Sequence, residues 1–285
     1  MNIYESENKI IIENPGHFDL TETFECGQYL NFNKIGENDF ETAAFGKYLR
    51  VYQKDGKIYF ETSRDDFENT WRGFFDADRD YKNIFETLRT RGGEILKKAS
   101  DFCPGIRILK QDPFECLISF IISQNNNIPR IKKIIGRLCE NFGDKIIYKD
   151  KDHYAFPGPE KLAELTLDGL TVIKSGFRAK YILDAAQKVN SGEINLDLIY
   201  DMNVTGGAEY LKRIKGVGDK VAACVLLFAY NKLDAFPVDV WIKKVLAKYY
   251  SENFDYKAAF GEYAGVANAY LFYYERENKQ KKEVE

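Results

Sequence analysis

The stretch Ile214-Lys215-Gly216-Val217-Gly218 constrains the fold of this chain more than any other. Helix-forming segments flank it, GGAEYLKR before and KVAACVLLF after, and its glycines allow a tight hairpin between them. Val217 between them can pin the hairpin to a core. Glycines at both ends leave backbone N–H groups uncovered beside the N-terminus of the second helix, where the helix dipole is positive. Such an array binds a phosphate without requiring a positively charged protein. The tripeptide alone fits an ordinary connection between helices as well, so its neighbours must carry the argument.

Lys220 lies in the first turn of the second helix, directly after the hairpin. There the dipole disfavours an ammonium, and a nucleophile requires the neutral amine. Cys224, four residues on, shares its helix face. Phe236-Pro237-Val238-Asp239 follows, with Pro237 fixing a turn and Asp239 placed to cap the next helix. Singly, these read as a solvated lysine and a plain cap. Behind Gly216, Val217 and Gly218 they become an amine and a carboxylate delivered beside a bound phosphate.

The rest of the chain sets the context. KYLRVYQ and KIYFETS alternate apolar and polar residues around Asp55-Gly56, a hairpin pattern. From about residue 67 the pattern turns helical and is expected to stay so. Asp112-Pro113 starts a helix whose FECLISFIIS run is apolar almost all round and should be buried. Polar Gln124 to Asn127 interrupt it before a second helix near Ile128-Pro129, and further helices are expected around 179–191, 207–213, 219–230, 239–250 and 256–275. The fold class is therefore α+β, an N-terminal antiparallel sheet packed on a mostly α-helical part. The expected domains are 1–105, β-rich with following helices, and 106–285, helical, holding the hairpin motif (about 207–230) and the loop 236–239.

Composition removes several function classes. Five cysteines without a CxxC pair, and two isolated histidines, argue against a disulfide framework or a zinc site. No GxGxxG or P-loop is present, so nucleotide binding has no motif behind it. The N-terminus lacks a basic segment followed by a long apolar run, and LISFII and VLLFAY are too short to span a bilayer. A soluble, intracellular protein with no membrane association is the expectation. Net charge is −3, but residues 171–250 carry 12 Lys/Arg against 8 Asp/Glu, whereas residues 1–100 carry 14 against 19. That tilt gives weak support for a polyanion partner.

GVGDKVAAC followed by FPVDV resembles the signature of the helix–hairpin–helix–GPD superfamily of base-excision glycosylases. ECGQYLNF (25–32), QDPFECLISFIISQNNNIPRI (111–131), SGFRAKYI (175–182) and GVANAYLFYYER (265–276) are similar, in order, to the 8-oxoguanine DNA glycosylase/lyase family. The resemblance runs over roughly residues 17–276. It implies a two-lobed helical core, Lys220 as the Schiff-base lysine and Asp239 as the catalytic aspartate. Gly27 would offer its carbonyl to the N7–H of 8-oxoguanine, Cys224 and Phe272 would sandwich the extruded base, and Pro237 would border it. Asn125 would fill the vacated stack, and Arg130 and Arg178 would hydrogen-bond the orphaned cytosine. Gly216, Val217 and Gly218 would clamp the backbone. Three positions depart from the animal enzymes: Phe177 for a wedging tyrosine, Asn268 for a glutamine that reads the Watson–Crick edge, and Trp241 for a histidine near the flanking phosphate.

The implied partner is double-stranded DNA containing 8-oxoguanine, acted on by a monomer without redox cofactor or metal ligand, apart from a structural monovalent cation that hairpin carbonyls could hold. An alkylated-purine glycosylase shares the fold but uses water, leaving Lys220 unexplained. A pyrimidine-specific relative would carry an iron–sulfur loop, and no cysteine follows Cys224. A non-catalytic phosphate clamp would need neither Lys220 nor Asp239.

Overall fold

The computed structural model describes residues 2–284, with the side chains of residues 2–279. Strands Asn2–Ser6 (β1), Lys9–Glu13 (β2), Phe32–Gly36 (β3), Asp39–Ala44 (β4), Lys47–Lys54 (β5) and Lys57–Glu61 (β6) form one antiparallel sheet, ordered β1-β2-β6-β5-β4-β3. The expected β5–β6 hairpin is present. Lys54 pairs with Lys57 across Asp55 and Gly56, whose φ values of 51° and 71° give the doubly left-handed turn that suits strand twist. Alternation then places Ile10, Ile12, Leu49, Val51, Ile58 and Phe60 in one core with Phe18, Phe24, Trp71 and Phe75. Each such buried side chain contributes roughly 1.5–3 kcal/mol.

Helices of eight or more residues are labelled in order: Tyr81–Arg91 (α1), Gly93–Phe102 (α2), Pro113–Ser123 (α3), Ile128–Phe142 (α4), Ala179–Asn190 (α5), Val204–Leu211 (α6), Asp219–Phe228 (α7), Val240–Tyr249 (α8) and Ala264–Val284 (α9). Asp112 caps α3 by accepting from Glu115 N at 2.8 Å, and Phe114 through Ile122 are all buried. The rings of Phe120 and Phe228 stack at 5.5 Å, joining α3 to α7 in the second, helical core. The two cores interlock. Cys26 and Leu30 belong to the helical core, and Leu109 to the sheet core. The turn holding Gly27 therefore lies at their junction. Among the described residues no helix is long and apolar enough to cross a membrane.

Three expectations are corrected. The chain does not stay helical after residue 67: Lys145–Tyr148 (β7) and Lys151–Tyr154 (β8) form an antiparallel hairpin through Lys149 and Asp150, at φ 47° and 60°. Contact with the large sheet holds it, since Tyr148 lies 4.3 Å from the Tyr48 ring and donates to Glu61 Oε2 at 2.9 Å. The helix expected over 256–275 is broken at Gly261, φ 59°, into Tyr256–Phe260 and α9. Helix α6 starts at Val204, earlier than expected, because Asn203 caps it through Gly206 N at 2.8 Å.

Candidate active site and nucleic-acid interface

Lys220 is the second residue of α7, which begins behind Gly218 with no side-chain cap. Its half-buried side chain reaches the last turn of α3. There Nζ donates to Ser123 Oγ at 3.2 Å and lies 4.9 Å from the centre of the Phe120 ring. Ser123 Oγ itself donates to the Phe120 carbonyl at 2.8 Å, which turns an oxygen lone pair toward the amine.

Asp239 caps α8. Its Oδ1 accepts from Trp241 N at 2.9 Å and Ile242 N at 2.8 Å, whereas Oδ2 takes no hydrogen bond among the described residues. One oxygen fixes the carboxylate and the other stays available, a geometry suited to stabilising positive charge. Cys224 lies within the fields of both groups. Burial pushes its thiol up to about 11, with the Lys220 charge pulling it down and the Asp239 charge pushing it further up. It is a neutral wall, not a nucleophile.

Gly27 approaches from the N-terminal part. It adopts φ +84°, and a Cβ there would come within 2.9 Å of Phe272 Cε1 on α9. Its carbonyl accepts no hydrogen bond among the described residues. The following Gln28 anchors the turn, donating Nε2 to Thr23 O at 2.8 Å and Arg107 O at 2.7 Å while Oε1 accepts from Leu109 N at 2.8 Å. Half-buried Phe272 meets Trp241 edge to face at 6.5 Å, so the two rings pack together. Asn268 is turned toward the 236–239 loop. It is 5% exposed and its Nδ2 donates to Pro237 O at 2.8 Å, committing its donor to holding the loop over buried Pro237 instead of to a base edge.

The hairpin has the predicted form. Gly216 is at φ +83°, where a Cβ would collide with Tyr181 Cγ at 2.5 Å, and Val217 is buried with its N–H bonded to Ile214 O at 3.1 Å. The N–H groups of Gly216 and Gly218 have no partner among the described residues. Around Gly218 a Cβ would meet nothing within 4 Å. Tyr181 in turn meets Phe177 edge to face at 6.2 Å, and Phe177 projects outward, 52% exposed. Asn125 is exposed at φ 47°, and nearby Arg130 is exposed with no ion pair or side-chain hydrogen bond among the described residues.

Arg178 is turned inward. Expected at the partner strand, it is only 2% exposed. Its guanidinium donates to Gln124 O from Nε at 2.9 Å and also from Nη2, to Asn125 O from Nη2 at 2.8 Å, and to Ser175 O from Nη1 at 3.1 Å. Burial first, and the like charge of Arg130 second, lower its pKa. Arg178 braces the loop that presents Asn125. In this conformation Arg130 is the arginine open to a base.

Sequence reasoning missed Ser123, Phe120, Gln28 and Tyr181, each of which packs on or anchors a candidate site residue. A faint signal existed for Ser123, a hydroxyl ending an otherwise apolar helix; the other three look like ordinary core residues. All five cysteines are free and buried.

Comparison with known proteins agrees with this geometry. A family model described as the 8-oxoguanine DNA glycosylase N-terminal domain matches residues 10–117, and the HhH-GPD superfamily base excision DNA repair protein model matches 118–259. N-glycosylase/DNA lyase of Saccharomyces cerevisiae is 36% identical over 189 residues, covering 62% of this chain and 50% of the yeast protein, so the chain spans half of that relative's length. The solved structure of MBOgg1 with a low-affinity DNA ligand superposes with a TM-score of 0.92 at 40% identity, over 98% of this chain and 99% of that one. Clostridium acetobutylicum 8-oxoguanine glycosylase/lyase, in complex with duplex DNA carrying cytosine opposite 8-oxoG, gives 0.91 at 40% identity over the same shares.

Proposed function

Because the chain belongs to the 8-oxoguanine DNA glycosylase family of HhH-GPD base-excision repair proteins, we propose that it removes 8-oxoguanine from duplex DNA and then cuts the strand, with Lys220 as nucleophile and Asp239 as its carboxylate partner. The observation that carries this reading is the shared neighbourhood of Lys220, Asp239 and Cys224, directly behind the Gly216–Gly218 hairpin.

The target base is unreachable inside the stack and must be flipped out, at a cost of a few kcal/mol. Exposed Asn125 would fill the gap and so offset part of that cost, with exposed Phe177 wedged beside the orphaned base. Gly216 and Gly218 hold phosphate through their free N–H groups, and Trp241 flanks the pocket. The lone pair of Lys220 Nζ then attacks C1′. The C1′–N9 bond breaks, its electron pair leaves with the base, and the base takes up a proton. Asp239 Oδ2 stabilises positive charge developing on the sugar. The amine loses a proton and the sugar ring opens to a Schiff base. Loss of a C2′ proton then breaks the C3′–O bond and nicks the strand. The Gly27 carbonyl, free to accept, would select a base carrying N7–H over guanine, with Cys224, Phe272 and Pro237 as walls. The protein would act as a monomer. A monovalent cation at the hairpin would use the carbonyls of Lys212 and Val217, which accept no hydrogen bond among the described residues.

A water-based alkylpurine glycosylase leaves the Lys220–Ser123 contact without a purpose, and a passive clamp leaves the free Asp239 oxygen without one. Borohydride trapping on an 8-oxoguanine duplex tests all three. The wild type should form a covalent adduct, and Lys220→Gln none. Asp239→Asn should keep its fold, since Asn caps about as well, while excision falls by about tenfold or more. No adduct from the wild type, or an undiminished adduct from Lys220→Gln, would sink the assignment.

A further inference from the structure

Arg276, near the point where α9 leaves the core, touches both walls of the proposed base pocket. The residue is 8% exposed. Nη2 donates to the carbonyl of Glu25, two residues before Gly27, at 2.5 Å. Nε and Nη2 also hold Glu277 Oε1, at 3.1 and 2.9 Å, which balances the charge. The guanidinium carbon lies 5.6 Å from the centre of the Phe272 ring, and Nη1 stands 3.8 Å from where a Gly27 Cβ would be.

The Gly27 turn is thus tied on two sides. Gln28 fastens it to the backbone of Arg107 and Leu109 within the N-terminal part, and Arg276 fastens it to α9, the helix that bears Phe272. Cys26 and Leu30 also seat the turn in the helical core. The second tie is the one that reaches α9 by a hydrogen bond from beside Phe272, and so bears directly on how far the Gly27 carbonyl lies from the Phe272 ring. A one-atom readout of N7–H depends on that distance, because a hydrogen bond weakens steeply outside about 2.7–3.2 Å. A planar, forked cation suits the task, since one group can bond a carbonyl and pack on an aromatic face together.

We infer that Arg276 is a positioning residue for lesion recognition: it sets the spacing between the Gly27 carbonyl and the Phe272 ring, and with it the discrimination between 8-oxoguanine and guanine, without touching the base. This rests on the proposed pocket. It separates two activities of one site, because an abasic sugar carries no base to recognise and still needs Lys220 and Asp239.

The test measures three quantities on wild type, Arg276→Met and Arg276→Lys, with melting curves to confirm folding. These are single-turnover excision of 8-oxoguanine opposite cytosine, cleavage at a preformed abasic site, and the ratio of affinities for lesion and undamaged duplex. Arg276→Met should lower excision and the affinity ratio each by about tenfold, the scale of a lost charged hydrogen bond, while abasic cleavage stays within about twofold. Arg276→Lys, which keeps a cationic donor, should recover part of both losses. Equal loss of excision and abasic cleavage would overturn the inference, as would no change in either. If Arg276→Met fails to fold, the same paired rates on Arg276→Lys decide between these outcomes. Failure of the wild type to excise 8-oxoguanine would instead overturn the functional reading beneath it.

Discussion

Gly27 and Phe272 stand so close that a Cβ on Gly27 would lie 2.9 Å from Phe272 Cε1, with a second ring carbon at 3.3 Å. The +84° φ of Gly27 adds a backbone penalty for any other residue. Gly27→Ala should therefore displace the ring or the carbonyl, lowering 8-oxoguanine excision by about tenfold or more while abasic-site cleavage survives. Comparing the two rates on the same preparation checks this; equal loss in both would remove Gly27 from base recognition.

The hairpin glycines should respond differently to the same substitution. Gly218→Ala meets open space, so the protein should melt as wild type, yet a methyl group there crowds an approaching phosphate. Affinity for lesion and undamaged duplex should fall together, by about fivefold. Gly216→Ala would press into Tyr181 at a +83° φ and should lower the melting temperature. Salt titrations of duplex binding, run beside melting curves, separate the two effects.

Arg130 and Arg178 should also part ways. Arg130 is open to solvent, so Arg130→Ala should flatten the preference for cytosine opposite the lesion, by about tenfold in the ratio of rates opposite cytosine and adenine. Arg178 holds the carbonyls of Gln124 and Asn125, so Arg178→Met should slow excision opposite every base alike. Single-turnover rates opposite C, T, G and A read both. A selective loss opposite cytosine in Arg178→Met would show that Arg178 leaves its brace to read the partner base.

Glu115 makes stability depend on pH. Fully buried on α3, with Asn31 Nδ2 donating to Oε1 at 3.0 Å, its carboxyl is pushed up to about 8, chiefly by burial. The folded state therefore binds a proton that the unfolded chain releases near its ordinary value of 4.5. Stability from this group is fully present below that value and is lost as pH rises toward 8. Glu115→Gln, neutral throughout, should melt close to wild type at pH 4.5 and above it at pH 8. Parallel pH dependences for the two proteins would exclude Glu115 as the source.

Where turn chemistry or burial pattern is local, the sequence was sufficient. Asp55-Gly56, the Asp112 cap, the apolar helix after it and the hairpin glycines could all be read in advance. The β7–β8 hairpin could not, because its strands are short and largely exposed, and rings on the distant Tyr48 edge hold them. The site divides along the same line. The positions of Lys220, Asp239, Gly27 and Phe272 follow from motifs, whereas the inward turn of Arg178 and the bond from Asn268 to Pro237 depend on carbonyls distant in the chain. A side chain's identity is local information; the direction in which it spends its donors is not.

The brace formed by Arg178 bears on how such a protein would patrol a chromosome. An enzyme that tests very many intact base pairs for each damaged one is limited by the time it lingers at each. With two successive carbonyls of the loop tethered from beneath, a loop used as a probe has less conformational freedom to lose at each stop. Loosening the tether should lengthen each pause and shorten the distance surveyed per binding event, even where the final chemistry at a lesion is preserved.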